Sequence, residues 1–398
     1  MEATIRELLD LVVRWVHIIA GIMWIGNSLL FNWLDRNLYP AETPDEHSFG
    51  KIWLLHSGAF YEVEKKLLPP GMRYPDKVHW FMFQNLTTWL SGVALLVIVY
   101  YMGGAAYMVD PNIAAISHAT AVAVGVGSLV GAWLLYEALW RSPLRRNPPL
   151  AFAISLALLL AMSIGLTQVL SGRAAYIHIG ALLGTLMTGN VWFVIMPSQR
   201  ELVAATRAGR AQDPAFSIRA KERSLHNNYI TFPVLFIMIS NHFPSTYGHQ
   251  LNWLLLAVLM VGSAAVRHFM NIRFHYRGWL RGAAAVSLLT LAVVAVLTAR
   301  TSTNAGASVP PVAFADAQAI ISQRCVACHS AAPTDKQFPV APGGVILETP
   351  EQIQRFAGRI KERAVITRTM PFGNQTGMTE AERALLGAWI DQGADIGR

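Results

Sequence analysis

The stretch P-L-A-F-A-I-S-L-A-L-L-L-A-M-S-I-G-L-T-Q-V-L, residues 149–170, carries no charged side chain from end to end. A helix needs about 20 consecutive, mostly apolar residues to cross a hydrocarbon core about 30 Å thick. A surface helix of a soluble domain would show a charged or polar face, and this stretch has none. Seven further stretches read the same way, at 8–34, 79–101, 113–140, 174–196, 225–243, 249–271 and 279–300. Composition agrees: of 398 residues 53 % are hydrophobic and 14 % charged, where soluble domains carry about a quarter charged. The expected fold class is therefore all-α, a polytopic membrane helical bundle of about eight spans over residues 1–300.

The charges lie between the spans. The formal net charge is +8, but the basic residues form no stripe and no aromatic-interleaved patch, which excludes a nucleic-acid partner. They gather in alternate loops: Arg36, Lys51, Lys65, Lys66, Arg73 and Lys77, then Arg141, Arg145 and Arg146, then six between 197 and 224, then Arg273 and Arg277. The intervening loops hold only Arg173. By the positive-inside rule the basic loops face the cytoplasm and both termini face the other side. The acidic start M-E-A-T-I-R-E-L-L-D lacks a basic region and a cleavage site, so no cleaved signal peptide is expected. The long 35–78 connection, with K-I-W-L-L-H and A-F-Y-E-V-E-K-K-L-L, reads as an amphipathic segment lying along the cytoplasmic surface.

After a small-residue and proline-rich linker at 301–312, residues 313–398 turn polar and read as a small helical domain. Thr379 and Glu382 predict a capping box for its last helix. The two cysteines of the chain, Cys325 and Cys328, stand in C-V-A-C-H, residues 325–329. C-x-x-C-H is the attachment pattern of a c-type haem: the two thiols form thioethers with the porphyrin vinyls, and His329 is held against the iron. A zinc knuckle would need a second Cys/His pair, and none follows. A methionine sulfur suits the sixth position of an electron-accepting haem. Met370 is preferred because Pro371 fixes a turn behind it, whereas Met378 stands at the entry to the final helix, where packing is the simpler role. Covalent haem c is attached outside the cytoplasm, which places this cytochrome c domain on the periplasmic side, as the loop charges do independently.

Ionisable residues within spans are costly and mark function by default. His17, His118, His178 and His242 fall toward the periplasmic side; His79, His226 and His268 fall toward the cytoplasmic side. Histidines on facing helices hold the haem of membrane b-type cytochromes, so the first four are candidate ligands of a second, non-covalent haem b, with the pair undecided. The plainer reading of each is a ring hydrogen-bonded to a backbone carbonyl. The cytoplasmic half is rich in amides: Asn27, Asn32, Gln84, Asn85, Asn190, then H-N-N-Y at 226–229 and R-H-F-M-N at 267–271. Amides beside Arg267 suit a small planar anion edged with carbonyls and N–H groups. Interhelical hydrogen bonding is the competing explanation.

W-V-H-I-I-A-G-I-M-W-I-G-N (15–27), H-N-N-Y-I-T-F-P-V-L-F-I-M-I-S-N-H-F-P (226–244) and R-H-F-M-N (267–271), joined to C-V-A-C-H and to M-P-F-G-N-Q-T-G-M-T (370–379), resemble the PuuD family. These are bacterial membrane-bound urate hydroxylases (urate oxidases) with a C-terminal cytochrome c domain, and the resemblance spans the chain. It implies a multi-pass protein of the inner (cytoplasmic) membrane that oxidises urate to 5-hydroxyisourate. Electrons would pass to haem c and on to a respiratory-chain acceptor such as a terminal oxidase, without hydrogen peroxide. On this reading His226, Asn227, Asn228 and Arg267 bind urate, and His226 or His268 accepts its proton. The alternative is a non-catalytic, cytochrome-bearing electron-transfer subunit; a third reading keeps the architecture and changes the heterocycle.

Overall fold

A computed structural model describes residues 2–40, 47–68, 74–299 and 310–397; most of the expected linker, 301–312, lies outside the described residues. The chain is mostly helical. Its bundle comprises α1 (Glu2–Asn37), α2 (Phe83–Leu95, continued as a π-helical turn over Leu96–Tyr101), α3 (Ala105–Met108), α4 (His118–Arg141), α5 (Pro148–Thr167) and α6 (Gly172–Asn190). A π-helical turn, Val191–Ile195, carries α6 on into α7 (Met196–Arg207); α8 (Pro214–Ser240), α9 (Pro244–Tyr247), α10 (Asn252–Ile272) and α11 (Trp279–Thr298) complete it. Seven of these stretches are long and apolar enough to cross a membrane. The expected span at 225–243 falls on the second half of α8, which is not among the seven. That helix begins with Arg219, Lys221, Glu222 and Arg223 and continues into His226, Asn227 and Asn228, and it packs between α6 and α10.

The core of the bundle sits on α6, whose Tyr176, Ile179, Leu182, Leu183 and Leu186 are buried against α2, α4, α5 and α8. At the other extreme, α11 is nearly bare: 6 % of its membrane window is buried within the chain. Helix ends are capped locally. Ser117 accepts from Thr120 N–H ahead of α4, Asn147 from Leu150 N–H ahead of α5, and Ser171 from Ala174 N–H ahead of α6, satisfying amides the first turn leaves open.

Within the 35–78 connection the segment read as amphipathic takes the form of two strands. It forms an antiparallel hairpin, β1 (Ser48–His56) with β2 (Ala59–Lys66), joined by Ser57-Gly58, both at positive φ. Two residues at positive φ make the turn whose twist matches paired strands.

Beyond residue 310 a second core forms around Phe314, Ile321, Ile353, Leu386 and Trp389, from α12 (Phe314–Arg324), α13 (Pro350–Ile360) and α14 (Glu380–Asp391). The capping box is present: the Thr379 hydroxyl accepts from Glu382 N–H, and the Glu382 carboxylate accepts from Thr379 N–H. This unit seats on the end of the bundle formed by α3, α9 and the start of α6. Phe372 packs edge-on against Tyr107 at 4.6 Å between centroids, Gln337 donates to the Gly103 carbonyl, and the Arg173 guanidinium lies within 6.0 Å of the Tyr100, Tyr107 and Phe372 rings. Gly373 is required there twice over. Its φ is +56°, and a Cβ would stand 2.6 Å from Ala106 Cα.

Candidate functional site

His226, Asn227 and Asn228 are consecutive on α8, so their side chains leave the helix about 100° apart. Each serves a different helix. His226 Nδ1 bonds the Tyr136 hydroxyl of α4 at 2.7 Å, and its ring lies 4.2 Å from that of Trp140. Asn227 donates to the Met187 carbonyl of α6 at 2.9 Å and accepts from Asn190 at 2.9 Å; Asn190 also donates to Tyr136. The Asn228 carbonyl oxygen accepts from Arg267 Nε at 3.1 Å and from Asn271 at 2.6 Å, both on α10. The pairing of α8 with α10 thus offsets part of the cost of burying Arg267, which is 3 % exposed. The expected single urate pocket of His226, Asn227, Asn228 and Arg267 is not what these side chains build; they join three helices. His268, also expected there, is exposed and bonds the Tyr229 hydroxyl at 2.8 Å.

Two cavities flank this network. The larger, about 670 Å³, opens between α4, α5, α6, α8 and α10. Tyr136, His226, Tyr229 and His268 reach it, but Leu135, Phe152, Leu156, Leu183 and Met260 are typical of the rest of its wall. Such a lining suits an acyl or isoprenoid chain and not an anion. The smaller, about 130 Å³, lies between α1 and the start of α2 and is lined by Trp24, Asn27, Ser28, Phe31, Phe81 and Gln84. Asn27 and Gln84 stand among the amides that the sequence brings forward. The aromatic members were missed, although Trp24, Asn27, Ser28 and Phe31 follow the i, i+3, i+4, i+7 spacing of one helix face.

The four candidate haem b ligands do not form a facing pair around a cavity. The His17 Nδ1–H donates to the Thr88 carbonyl at 2.9 Å, with Ser91 beside it. His178 is fully buried; its Nδ1–H donates to the Ala174 carbonyl at 2.7 Å and its Nε2 meets the Tyr101 hydroxyl at 3.1 Å, so both ring nitrogens are used. The His118 Nε2–H donates to the Tyr101 carbonyl at 2.8 Å. His242 is exposed. None of the four lines either cavity, so these residues as arranged do not fit a haem between them, and no chemistry below uses one.

The turn at Cys325–His329 has the form a covalent haem requires. It leaves the C-terminus of α12, with the His329 amide bonded to the Cys325 carbonyl at 2.9 Å, so both thiols and the imidazole belong to one compact turn. The His329 Nδ1 meets the Val345 carbonyl at 3.0 Å; a carbonyl only accepts, so the proton is on Nδ1 and the Nε2 lone pair is left for a metal. That is the usual second partner of a metal-bound histidine. Burial pushes the Cys325 thiol up to about 12 and the Cys328 thiol up to about 11, so both stay protonated at neutral pH. Met378 is buried in the core, as its packing role predicts. Met370 is only partly buried, and its loop is pinned by Arg383, which donates to the Met370 carbonyl at 2.8 Å and to Asn374 at 3.2 Å. Arg383 went unremarked in the sequence because only folding brings α14 against that loop. Among the described residues no group of three or more His, Cys, Asp or Glu side chains clusters as for a metal ion.

The fold and these sites define a class: a polytopic helical membrane protein with buried interhelical amide networks and a small helical domain seated on one end. Residues 3–299 match the family model described as Urate oxidase N-terminal, and the chain belongs to that family. Membership makes it an oxidoreductase with a urate-related function. No curated protein matches the chain, and no solved structure does.

Proposed function

We propose that the chain is a membrane-bound urate hydroxylase of bacterial purine breakdown. Urate and water give 5-hydroxyisourate, two electrons and two protons, and the electrons leave through the C-terminal domain without forming hydrogen peroxide. Cys325 and Cys328 would hold a haem c, with His329 Nε2 and the Met370 sulfur as its axial ligands. That group supplies a one-electron acceptor. The chain would lie in the inner membrane with the basic loops inside, the C-terminal domain in the periplasm and a respiratory-chain oxidase as final acceptor.

The observation that carries this reading is the seating of the segment next to Met370 on the bundle. Phe372 and Gly373 meet Tyr107 and Ala106, so the edge of the redox domain nearest its expected sixth ligand faces the helices of the urate oxidase family. Arg173 steadies that contact, bonding Asn241 at 3.3 Å while it stacks among three rings. Within the bundle the hydrogen-bonded joints hold the helices that must exclude bulk water during oxidation.

The test is anaerobic addition of urate to the purified full-length chain. Loss of urate absorbance together with reduced c-type haem bands, and no peroxide when air is admitted, is the expected result. Absence of both changes would overturn the reading. A second reading, a non-catalytic electron-transfer subunit, draws on the 670 Å³ apolar cavity with its two His–Tyr pairs, which suits a quinol headgroup and tail. Haem reduction by quinol and none by urate would favour it.

A further inference from the structure

The cavity between α1 and α2 differs from the rest of the bundle in what its polar groups are left to do. At about 130 Å³ it falls well below the roughly 300–1,000 Å³ of sites for drug-sized ligands, and it is of a size for one bicyclic heterocycle. Its walls are aromatic. Phe31 and Phe81 meet edge to face at 5.0 Å between centroids, His79 backs Phe81 at 4.5 Å, and Trp24 lies one helical repeat before Phe31 on the same face. Its polar members, Asn27, Ser28 and Gln84, are all neutral and offer both donors and acceptors.

Gln84 is the decisive residue. Its Oε1 is shielded from solvent and has no hydrogen-bond partner among the described residues. The next residue shows what a structural amide looks like here. Asn85 is fully buried, donates to Thr188 at 3.2 Å and accepts from the Trp192 indole at 3.0 Å. One step along the helix turns the side chain by about 100°, from a saturated joint on α6 to a cavity wall. Three other buried acceptors, His118 Nδ1, Asn190 Oδ1 and Asn271 Oδ1, also lack partners, but none of these residues lines either cavity. A buried carbonyl oxygen without a donor is costly, and beside a cavity the missing donor is a ligand N–H.

From this we infer that Trp24, Asn27, Ser28, Phe31, Phe81 and Gln84 form the binding site for an oxidised purine, its ring held against the aromatic walls and its alternating carbonyl and N–H edge read by the Gln84 amide. The inference rests on the reading of the chain as a urate-oxidising protein and gives that reading a substrate site. It also explains why the H-N-N segment of α8 can be consumed in joining helices: the purine is held elsewhere. Selectivity follows from the edge. A ring lacking the N–H opposite Gln84 Oε1 leaves that oxygen buried and unpaired, so the site favours ureide-edged purines such as urate and xanthine over adenine-like rings.

The full-length chain in lipid nanodiscs, with urate as the probe, provides the test. Gln84→Ala and Phe81→Ala are each expected to raise the KM for urate at least tenfold while changing kcat less than threefold. Gln84→Asn, which keeps the amide but shortens its reach, should fall between. Anaerobic quenching of tryptophan fluorescence by urate should weaken in the same order, and unchanged thermal unfolding would show that the variants fold. Wild-type turnover and quenching with unaltered KM and quenching in Gln84→Ala and Phe81→Ala would overturn the site and leave the proposed activity standing. Wild-type protein that neither oxidises urate nor is quenched by it would overturn the activity and the site together.

Discussion

Two polar regions of the bundle look alike in the sequence and behave oppositely in the fold. Around α8, four amide side chains and Arg267 join the helices: Asn190 of α6 bonds Asn227, and Arg267 and Asn271 of α10 bond Asn228. On the α1/α2 face, three neutral polar groups line a cavity, and the Gln84 carbonyl oxygen has no partner. The first region has the greater density of polar residues, but their side chains are spent chiefly on one another. Binding capacity resides in hydrogen-bonding groups that the protein leaves unmet next to a space, and the same distinction picks out His329, whose Nδ1 is committed to Val345 while its Nε2 is not.

The comparison can be broken in four places, beginning with the largest effect. His329→Ala removes the uncommitted nitrogen, and urate-dependent turnover should fall at least a hundredfold, read as urate consumption in membranes; retention of turnover would detach the C-terminal domain from the reaction. Asn228→Ala should act on stability and not on substrate. It leaves Arg267 buried beside an empty space and should cost about 1–2 kcal/mol, seen as a lower unfolding temperature with KM for urate unchanged. Gln84→Ala should do the reverse, raising KM while leaving thermal unfolding where it was, because no protein hydrogen bond to that oxygen is lost.

The smallest effect concerns pH. Burial pushes the Glu382 carboxyl up, but the Thr379 N–H and the Arg324 guanidinium outweigh it and hold the group below the usual carboxylate range. A carboxyl lowered on folding contributes stability above its unfolded pKa, about 4.3, and loses it as pH falls through the lower folded value. Amide protection factors over residues 313–397 should therefore decrease below about pH 4, and Glu382→Gln should flatten that dependence. The Glu382 side chain is only partly buried, so solvent screening keeps the change modest.

The hairpin shows a local signal that the amphipathic reading left unused. Ser57-Gly58 between K-I-W-L-L-H and A-F-Y-E-V-E-K-K is a two-residue turn between alternating strands, yet the apolar residues also satisfy an amphipathic segment at a membrane surface. Short apolar runs do not distinguish the two periods, and the turn residues were the better guide. The C-terminal capping box, by contrast, was legible because it depends on four neighbouring residues alone.

By itself, the sequence determined what depends on length, composition and short spacing. Runs of apolar residues long enough for a bilayer specify helices there, because an unpaired backbone in hydrocarbon is too costly. A five-residue turn places two thiols and an imidazole together before any tertiary contact forms. Only the tertiary structure decided the rest: that His226, Asn227 and Asn228 serve three different helices, that Trp24 and Phe31 face Phe81 and Gln84 across a small cavity, and that Arg383 reaches back to the Met370 loop. A helix fixes the angle between successive side chains, but which neighbour stands at each angle is settled by packing.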